Sequence, residues 1–379
     1  MKTRIALLQE SGLPRPYDRS RPLRIIEAEL DPPGPGELMV RIVAAGLCHS
    51  DLSVINGDRA RDLPVALGHE ASGVVELVGP GVTRFAPGDP VVLVFAPGCG
   101  RCLPCAEGRP ALCEPAAEAA GSGTLMSGAR RIRVAGQPVN HHIGVSAFSD
   151  RVVIGEGSAV RVDPDVPLED AALLGCAVLT GAGSVLNAGA LRTGEACAIV
   201  GLGGVGLAGL MAARAAGAHP LIAVDPAEEK RGRALELGAT HAVNPLAPGA
   251  LDQIRGLTGG GVHLAVELAG SAPALRFAWD ATRRGGRVVT GGLPHPAQEL
   301  SLSAAELTVS EKTLRGAYMG SCVPTRDIPR FAALMTSGAL PVGELVTHRL
   351  RLDQINEGFE RLASGDAIRQ LVLFDDSGP

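Results

Sequence analysis

Ala196-Cys197-Ala198-Ile199-Val200 runs straight into Gly201-Leu202-Gly203-Gly204-Val205-Gly206, and residues 207–216 continue as an apolar helical segment. A Gly-x-Gly-x-x-Gly run is weak evidence by itself. In the order strand, glycine turn, helix it makes a pyrophosphate cradle: the glycines admit close backbone approach, and the helix start offers free N–H groups and the positive end of its dipole. Downstream, β-prone runs at 221–224, 241–243, 262–267 and 287–290 alternate with helical runs at 227–237 and 272–281. That alternation predicts βαβ units and a doubly wound parallel sheet. The strand after the glycine turn ends in Asp225, nineteen residues past Gly206. A carboxylate there accepts hydrogen bonds from both ribose hydroxyls and repels a 2′-phosphate, so NAD is expected rather than NADP. Lys230, five residues on, either reaches the same ribose or lies on the helix surface.

The first half has a different texture. Runs at 38–45, 73–78 and 90–95 are short, β-prone and separated by Gly/Pro turns, which predicts a β-rich, barrel-like domain. Helical stretches at 328–337 and 352–364 precede a last strand at 370–374, a tail able to rejoin the first domain. The segment 115–140, rich in Ala, Gly and Ser, reads as the loosest part of the chain. A length of 379 residues fits two domains.

Eight cysteines fall into recognisable groups. Cys99-x2-Cys102-x2-Cys105-x7-Cys113, set among Gly98, Gly100, Pro104 and Gly108, is a turn-rich chelate lobe spanning about 97–115. Four thiolates fill a tetrahedral zinc and leave no open position. A disulfide pair or a four-cysteine Fe–S cluster are the alternatives at this spacing. Cys48, Gly68-His69-Glu70 and Cys176 form the second set; three ligands leave one coordination position for water or substrate. One closed and one open site predict two zincs per chain, one structural and one catalytic, and therefore an enzyme.

A net charge of −5 with mixed signs gives no basic field for nucleic acid. Arg130-Arg131-Ile132-Arg133 reads as a solvated loop face. Residues 1–10 contain no signal-peptide run and no stretch of eighteen apolar residues follows, so neither export nor a membrane span is expected, and the cytoplasm is the default compartment. Cysteines there serve as ligands or core residues; Cys197 and Cys322 read as buried small hydrophobes. Fifty glycines and 28 prolines against ten aromatics point to tight turns around aliphatic strands. His141 and His142, adjacent in a strand, face opposite ways and so do not chelate together; pocket lining or surface is expected for them. His219, His241, His263, His295 and His348 lack ligand spacing and read as structural.

Gly68-His69-Glu70-x2-Gly73-x5-Gly79-x2-Val82, followed in order by the four-cysteine lobe, Gly175-Cys176-x3-Thr180-Gly181 and the glycine turn, resembles the zinc-containing alcohol dehydrogenases of the medium-chain dehydrogenase/reductase superfamily. The resemblance covers nearly the whole chain. It implies a GroES-like catalytic domain from residues 1–178 and 321–379, with a Rossmann NAD-binding domain at 179–320. By position, Cys48, His69 and Cys176 resemble the catalytic zinc ligands, and Glu70 the carboxylate able to approach that metal. Asp51 would hold the far nitrogen of His69. Ser50 matches the hydroxyl that takes the alcohol proton, and Thr180 lies where nicotinamide is expected. Gly292 and Leu293 match the chain beside the carboxamide and the pocket, and Arg369 an arginine on pyrophosphate. Two positions depart from the family's usual pattern. His49 stands where an arginine often grips pyrophosphate, giving a pH-dependent contact, and Ser53 where a histidine often takes the last proton.

The reaction so implied is reversible hydride transfer between a primary alcohol and NAD, giving the aldehyde. Phe95, Ile143 and Leu293 make the expected pocket walls apolar, favouring small aliphatic or aromatic alcohols. Length and the 115–140 segment also resemble the glutathione-dependent formaldehyde branch, although the first arginine after Cys113 is Arg130. A non-catalytic nucleotide-binding role is the third reading, and the intact ligand set argues against it. An edge strand near 301–318 and the long chain suggest a homodimer.

Overall fold

The computed structural model describes residues 1–374. The chain divides into two compact units, one of Met1–Cys176, Val323–Ala333 and Val342–Pro379, the other of Ala177–Cys322 and Leu334–Pro341. Among the described residues no single helix is long and apolar enough to cross a membrane.

The first unit is GroES-like and built on two β structures. Strands Lys2–Leu8, Leu23–Leu30, Ile132–Val134, Gln137–His141 and Val65–Ala66 close a barrel. A second sheet is centred on Glu37–Gly46, which pairs with Ala71–Val78, Arg151–Gly155 and Arg369–Leu373. This strand is buried along most of its length, so its apolar residues serve both faces: Leu38, Val40 and Ile42 pack with Leu93, Val152, Phe148 and Phe359, whereas Met39 joins Ile5 and Leu30. The strand Arg369–Leu373 lays Leu371 opposite Gly46, which brings Arg369 at its start beside the carbonyl of Leu47.

Two features here differ from the sequence expectations. The segment 115–140 is not loose: it holds a helix, Glu114–Gly121, and the Ile132–Val134/Gln137–His141 hairpin. The Arg130–Arg133 run is not a solvated face either. Strand alternation turns Ile132 into the barrel, 1% exposed, while Arg131 pairs with the buried Glu37, Arg133 with Asp31, and Arg130 with Asn140. Each charge has found a partner, which composition alone does not reveal.

In the second unit six parallel strands lie in the order His241–Val243, Leu221–Val224, Cys197–Val200, Val262–Glu267, Thr282–Thr290, Thr313–Gly316. Numbered along the chain this is 3-2-1-4-5-6, the Rossmann order. Cys197–Val200 and Leu221–Val224 are buried at every position, as strands covered on both faces must be. Cys197 and Cys322 are both buried.

Candidate active site and cofactor cradle

The strand Glu37–Gly46 ends where Cys48, in extended conformation, starts the helix His49–Ile55. Gly68 holds φ +98, and a Cβ there would strike the Phe148 backbone nitrogen, so a glycine is required one residue before His69. Cys176 closes the set from the other side. The donor atoms of Cys48, His69 and Cys176 lie within 4.8 Å of one another, with Cys176 Sγ 3.5 Å from His69 Nε2. Zinc bound tetrahedrally at ordinary Zn–S and Zn–N lengths requires an S···N edge of about 3.5 Å. All three residues are at most 6% exposed.

The electrostatics agree with a cation site. The hydrogen bond from Cys176 pulls the Cys48 thiol well below its ordinary range against the effect of burial, and His69 pulls it further. Cys176 is pushed up, first by sharing that bond and then by burial, so the pair retains one proton. For His69 burial acts downward, but Asp51 and Cys48 outweigh it and raise the imidazole. A buried thiolate beside an imidazole is a donor set that a divalent cation satisfies when its protons leave.

Around this set, Asp51 Oδ2 stands 3.1 Å from His69 Nδ1, and Asp51 Oδ1 accepts from the Gly68 N–H at 3.1 Å. The His69 ring meets Phe95 edge-on at 5.2 Å and His142 at 5.6 Å. Ser50 Oγ lies 3.8 Å from Cys48 Sγ. Glu70 is fully buried and receives Arg369 Nη1 at 3.4 Å; the same nitrogen donates to the Leu47 carbonyl at 3.2 Å. Gly46 makes room for that carboxylate, since a Cβ there would sit 2.5 Å from Glu70 Oε2. Arg369 is 4% exposed and keeps its charge, because Glu70 and the nearby thiols outweigh burial. His49 is exposed on the first turn of its helix, and Ser53 Oγ donates to the His49 carbonyl at 2.8 Å. The Ser53 hydroxyl proton is thus spent on the helix backbone.

His141 and His142 are both buried, at 1% and 2% exposed, which excludes the surface alternative. They do face different surroundings: His141 Nε2 accepts from the Arg131 N–H at 3.1 Å, whereas His142 faces Asp51 and His69. Proximity of His142 to the ligand set was invisible in the sequence, since it depends on a turn folding back through Gly144.

The four cysteines of the lobe also gather their sulfurs within 4.8 Å. Backbone N–H groups point at them: Cys99 to Cys113 Sγ at 3.3 Å, Cys102 to Cys99 Sγ at 3.3 Å and Arg101 to Cys99 Sγ at 3.5 Å. Those N–H groups hold the Cys99 thiol down to about 6, while burial pushes Cys113 up to about 12. All eight cysteines are unpaired, which leaves no disulfide in the lobe.

Beside it a cavity of about 420 Å³ has a mixed lining, apolar at Phe95, Ala116, Leu125 and Ile143 and polar at Glu37, Arg84, Thr124, Ser127 and Glu156. Ile143 holds φ +42, a left-handed conformation that a β-branched residue adopts only under constraint. The helix Glu114–Gly121, which supplies one wall, carried no legible signal in the sequence.

In the second unit the glycine turn divides its labour. Gly201 has φ +92, and a Cβ on it would lie 2.5 Å from the Ala269 nitrogen. A Cβ on Gly206 would strike the Gly201 carbonyl. Gly203, in contrast, caps the helix Gly204–Ala215 with φ −75, and a Cβ there would meet nothing within 4 Å. Open space at the start of a helix is what a pyrophosphate requires, so these residues fit a dinucleotide. Gly204 and Val205 supply the first helical turn. Asp225 is 7% exposed; its Oδ2 accepts from the Leu202 N–H and its Oδ1 from the Ala227 N–H, both at 2.9 Å. Each oxygen retains a second lone pair for a ribose hydroxyl. Lys230 lies half-buried on the next helix, where Arg231, unremarked in the sequence, donates to the carbonyls of Asp225 and Pro226. Thr180 sits in the helix Ala177–Gly183, against Gly291. Glu267 accepts from Gly270 N–H at 2.5 Å and from Thr290 Oγ1 at 2.7 Å, bracing the turn where Gly292 touches Gly270. Leu293 next to it is 55% exposed.

The sequence matches the alcohol dehydrogenase GroES-like domain over residues 34–162 and the zinc-binding dehydrogenase family over residues 204–337. An NDMA-dependent alcohol dehydrogenase from Amycolatopsis methanolica is 40% identical over 98% of this chain and 99% of its own. Among solved structures, an alcohol dehydrogenase zinc-binding domain protein from Burkholderia ambifaria has a TM-score of 0.93 at 36% identity, covering 99% of both chains. Benzyl alcohol dehydrogenase from Acinetobacter calcoaceticus has a TM-score of 0.92 at 31% identity, covering 99% of this chain and 100% of that one. With an open Cys/His/Cys donor set in a GroES-like unit, a glycine cradle in a Rossmann unit and these relatives along its whole length, the chain belongs to the zinc-type alcohol dehydrogenases of the medium-chain dehydrogenase/reductase superfamily.

Proposed function

We propose that this alcohol dehydrogenase interconverts a primary aliphatic or aromatic alcohol and its aldehyde with NAD, using one catalytic and one structural zinc per chain. The observation that carries the reading is the buried Cys48/His69/Cys176 set, whose spacing fits zinc with three protein ligands and whose fourth position is therefore free. When bound, the metal supplies Lewis acidity and the nicotinamide accepts hydride. The residues of the chain do the rest. Asp51 fixes the His69 ring so that Nε2 faces the metal. Ser50, beside Cys48, receives the alcohol proton; Ser53 does not extend that relay, because its hydrogen is committed to His49. Glu70 and Arg369 are a buried charge pair behind the ligands. Arg369, with Nε unpartnered among the described residues, also has capacity for a phosphate oxygen, and His49 offers an exposed, pH-dependent contact of the same kind.

In this reading residues of the first unit hold the substrate, with Phe95 and Ile143 at the apolar wall, and residues of the second hold the cofactor. Gly201, Gly203, Gly204, Val205 and Gly206 take the pyrophosphate, Asp225 and Lys230 the adenosine ribose, and Thr180, Gly292 and Leu293 the nicotinamide side. Asp225 supports NAD over NADP by charge. Phe95, whose ring meets His69 at 5.2 Å, supports aromatic or longer aliphatic alcohols over polyols. The glutathione-dependent alternative is disfavoured because Arg130 is engaged with Asn140 and the Ser122 carbonyl. Unpaired thiols suit a reducing compartment such as the cytoplasm. The segment 301–318, expected as an edge strand, holds a helix at Ala304–Ser310 and a strand only at Thr313–Gly316; a homodimer is supported by that shorter edge strand, exposed throughout, with Leu307, Val309 and Tyr318 exposed near it in sequence.

The test is zinc content per chain together with NADH formation from ethanol, hexanol, benzyl alcohol, sorbitol and formaldehyde plus glutathione. Two zincs and turnover of a simple alcohol are expected. No zinc and no turnover would refute the proposal, and turnover only with glutathione present would transfer the assignment to the formaldehyde branch.

A further inference from the structure

His142 is the buried polar side chain nearest the ligand set that the proposed chemistry leaves without a task. It is 2% exposed, and neither ring nitrogen makes a hydrogen bond of ordinary geometry among the described residues. Leaving such a group unsatisfied is costly, and an apolar ring of similar size would avoid that cost. What the ring does face is specific. Its Nε2 lies 3.4 Å from Asp51 Oδ1, the oxygen that also accepts the Gly68 N–H, while Asp51 Oδ2 faces His69 Nδ1 at 3.1 Å. Its plane meets the His69 ring at 72° with centroids 5.6 Å apart, and Phe95 closes the other side of His69 at 89°. The turn that presents it is itself constrained. Ile143 and Gly144 are both left-handed, Val145 N–H donates to the His142 carbonyl, and the His142 N–H is shared between the Ala66 carbonyl and Ser146 Oγ.

We propose that His142 is a positioning residue for the metal ligand His69, sharing Asp51 with it in a His69–Asp51–His142 chain. Closing the 3.4 Å approach of His142 Nε2 to Asp51 Oδ1 into a donated N–H when the metal is held would fix the rotation of the carboxylate about its Cβ–Cγ bond, keeping Oδ2 on His69 Nδ1 and the His69 Nε2 turned toward Cys176. Groups that orient a ligand in this way change metal affinity or activity by about 10–100-fold when removed. His142→Phe retains the ring and its packing and deletes only the nitrogens; His142→Gln restores a donor of similar reach.

The inference rests on zinc occupying the Cys48/His69/Cys176 set. The experiment therefore follows the release of zinc from the purified full chain to a chromogenic chelator, with a Cys48→Ser variant identifying which kinetic phase belongs to the open site. Cobalt-substituted protein provides the d–d spectrum of the same site. The expected result is that His142→Phe speeds release of the open-site metal about tenfold and shifts the cobalt bands, that His142→Gln restores both, and that the lobe phase is unchanged in all variants. Open-site release and cobalt bands in His142→Phe that match the parent would overturn the role of His142 and leave the zinc reading intact. A parent protein lacking any phase sensitive to Cys48→Ser would overturn both. Loss of the metal in His142→Phe and His142→Gln alike would also refute the proposal, since packing rather than a donated N–H would then be what matters.

Discussion

Gly201 and Gly203 stand two residues apart in one turn, yet alanine should damage them in opposite ways. At Gly201 the backbone has φ +92, and the added Cβ would sit 2.5 Å from the Ala269 nitrogen and 2.7 Å from its Cα and Cβ. The left-handed conformation costs alanine about 1 kcal/mol, and forcing the neighbouring chain aside adds roughly 1–3 kcal/mol. With an unfolding entropy of about 0.8 kcal/mol/K for a chain of this length, a loss of about 2–4 kcal/mol corresponds to a melting temperature lowered by roughly 3–5 °C. At Gly203, with φ −75 and nothing within 4 Å of the new Cβ, the folded protein pays no such penalty, and restriction of the unfolded chain adds up to about 1 kcal/mol of stability. Under the proposed function the methyl would occupy the space of the pyrophosphate. Displacing the anion from its helix N–H donors removes a charge-assisted hydrogen bond, about 1.5–3 kcal/mol, so the Kd for NADH should rise about 10–100-fold. Differential scanning calorimetry without cofactor and NADH titration by fluorescence measure the two effects separately. Gly203→Ala binding NADH with the parent affinity, or Gly201→Ala melting with the parent, would refute the account of the turn.

Replacing Cys48 by Ser should remove one zinc and lower turnover by at least about 100-fold, with the NADH Kd unchanged; retained turnover would contradict the open-site assignment. Asp225→Ser should weaken NAD binding about tenfold and narrow its preference over NADP, read from KM for the two cofactors, and an unaltered ratio would show that Asp225 does not face the ribose. Burial holds His141 neutral, pushed down to about 4, so the unfolded chain binds the extra proton between pH 6.5 and about 4 and stability falls as pH drops through that window. The loss amounts to about 3 kcal/mol in total; His141→Gln should unfold less steeply in acid, and an identical urea midpoint-against-pH curve would count against this.

How much of the site could be read without coordinates follows from what each signal depends on. Donor chemistry and spacing along the chain are local, so Cys99 to Cys113 announced a chelate, and the glycines from Gly201 to Gly206 announced a phosphate turn. The helix at Glu114–Gly121 escaped because its short Ala-rich run has no strong apolar period. The strands Lys2–Leu8 and Leu23–Leu30 passed unremarked as well, since their mates lie elsewhere in the chain and pairing is what stabilises them.

Residue identity therefore determined the fold class, the two cysteine-containing donor sets and the glycine turn, each a consequence of side-chain chemistry at short range. Only the tertiary structure decided what surrounds them: that Arg369 is buried against Glu70, that Ser53 spends its hydrogen on His49, that Arg131 serves Glu37, and that His142 comes to Asp51. These partners stand between four and nearly three hundred residues apart along the chain. Burial makes groups such as Arg369 and Glu37 find a charge partner, and which partner lies within reach is fixed by packing rather than by sequence distance.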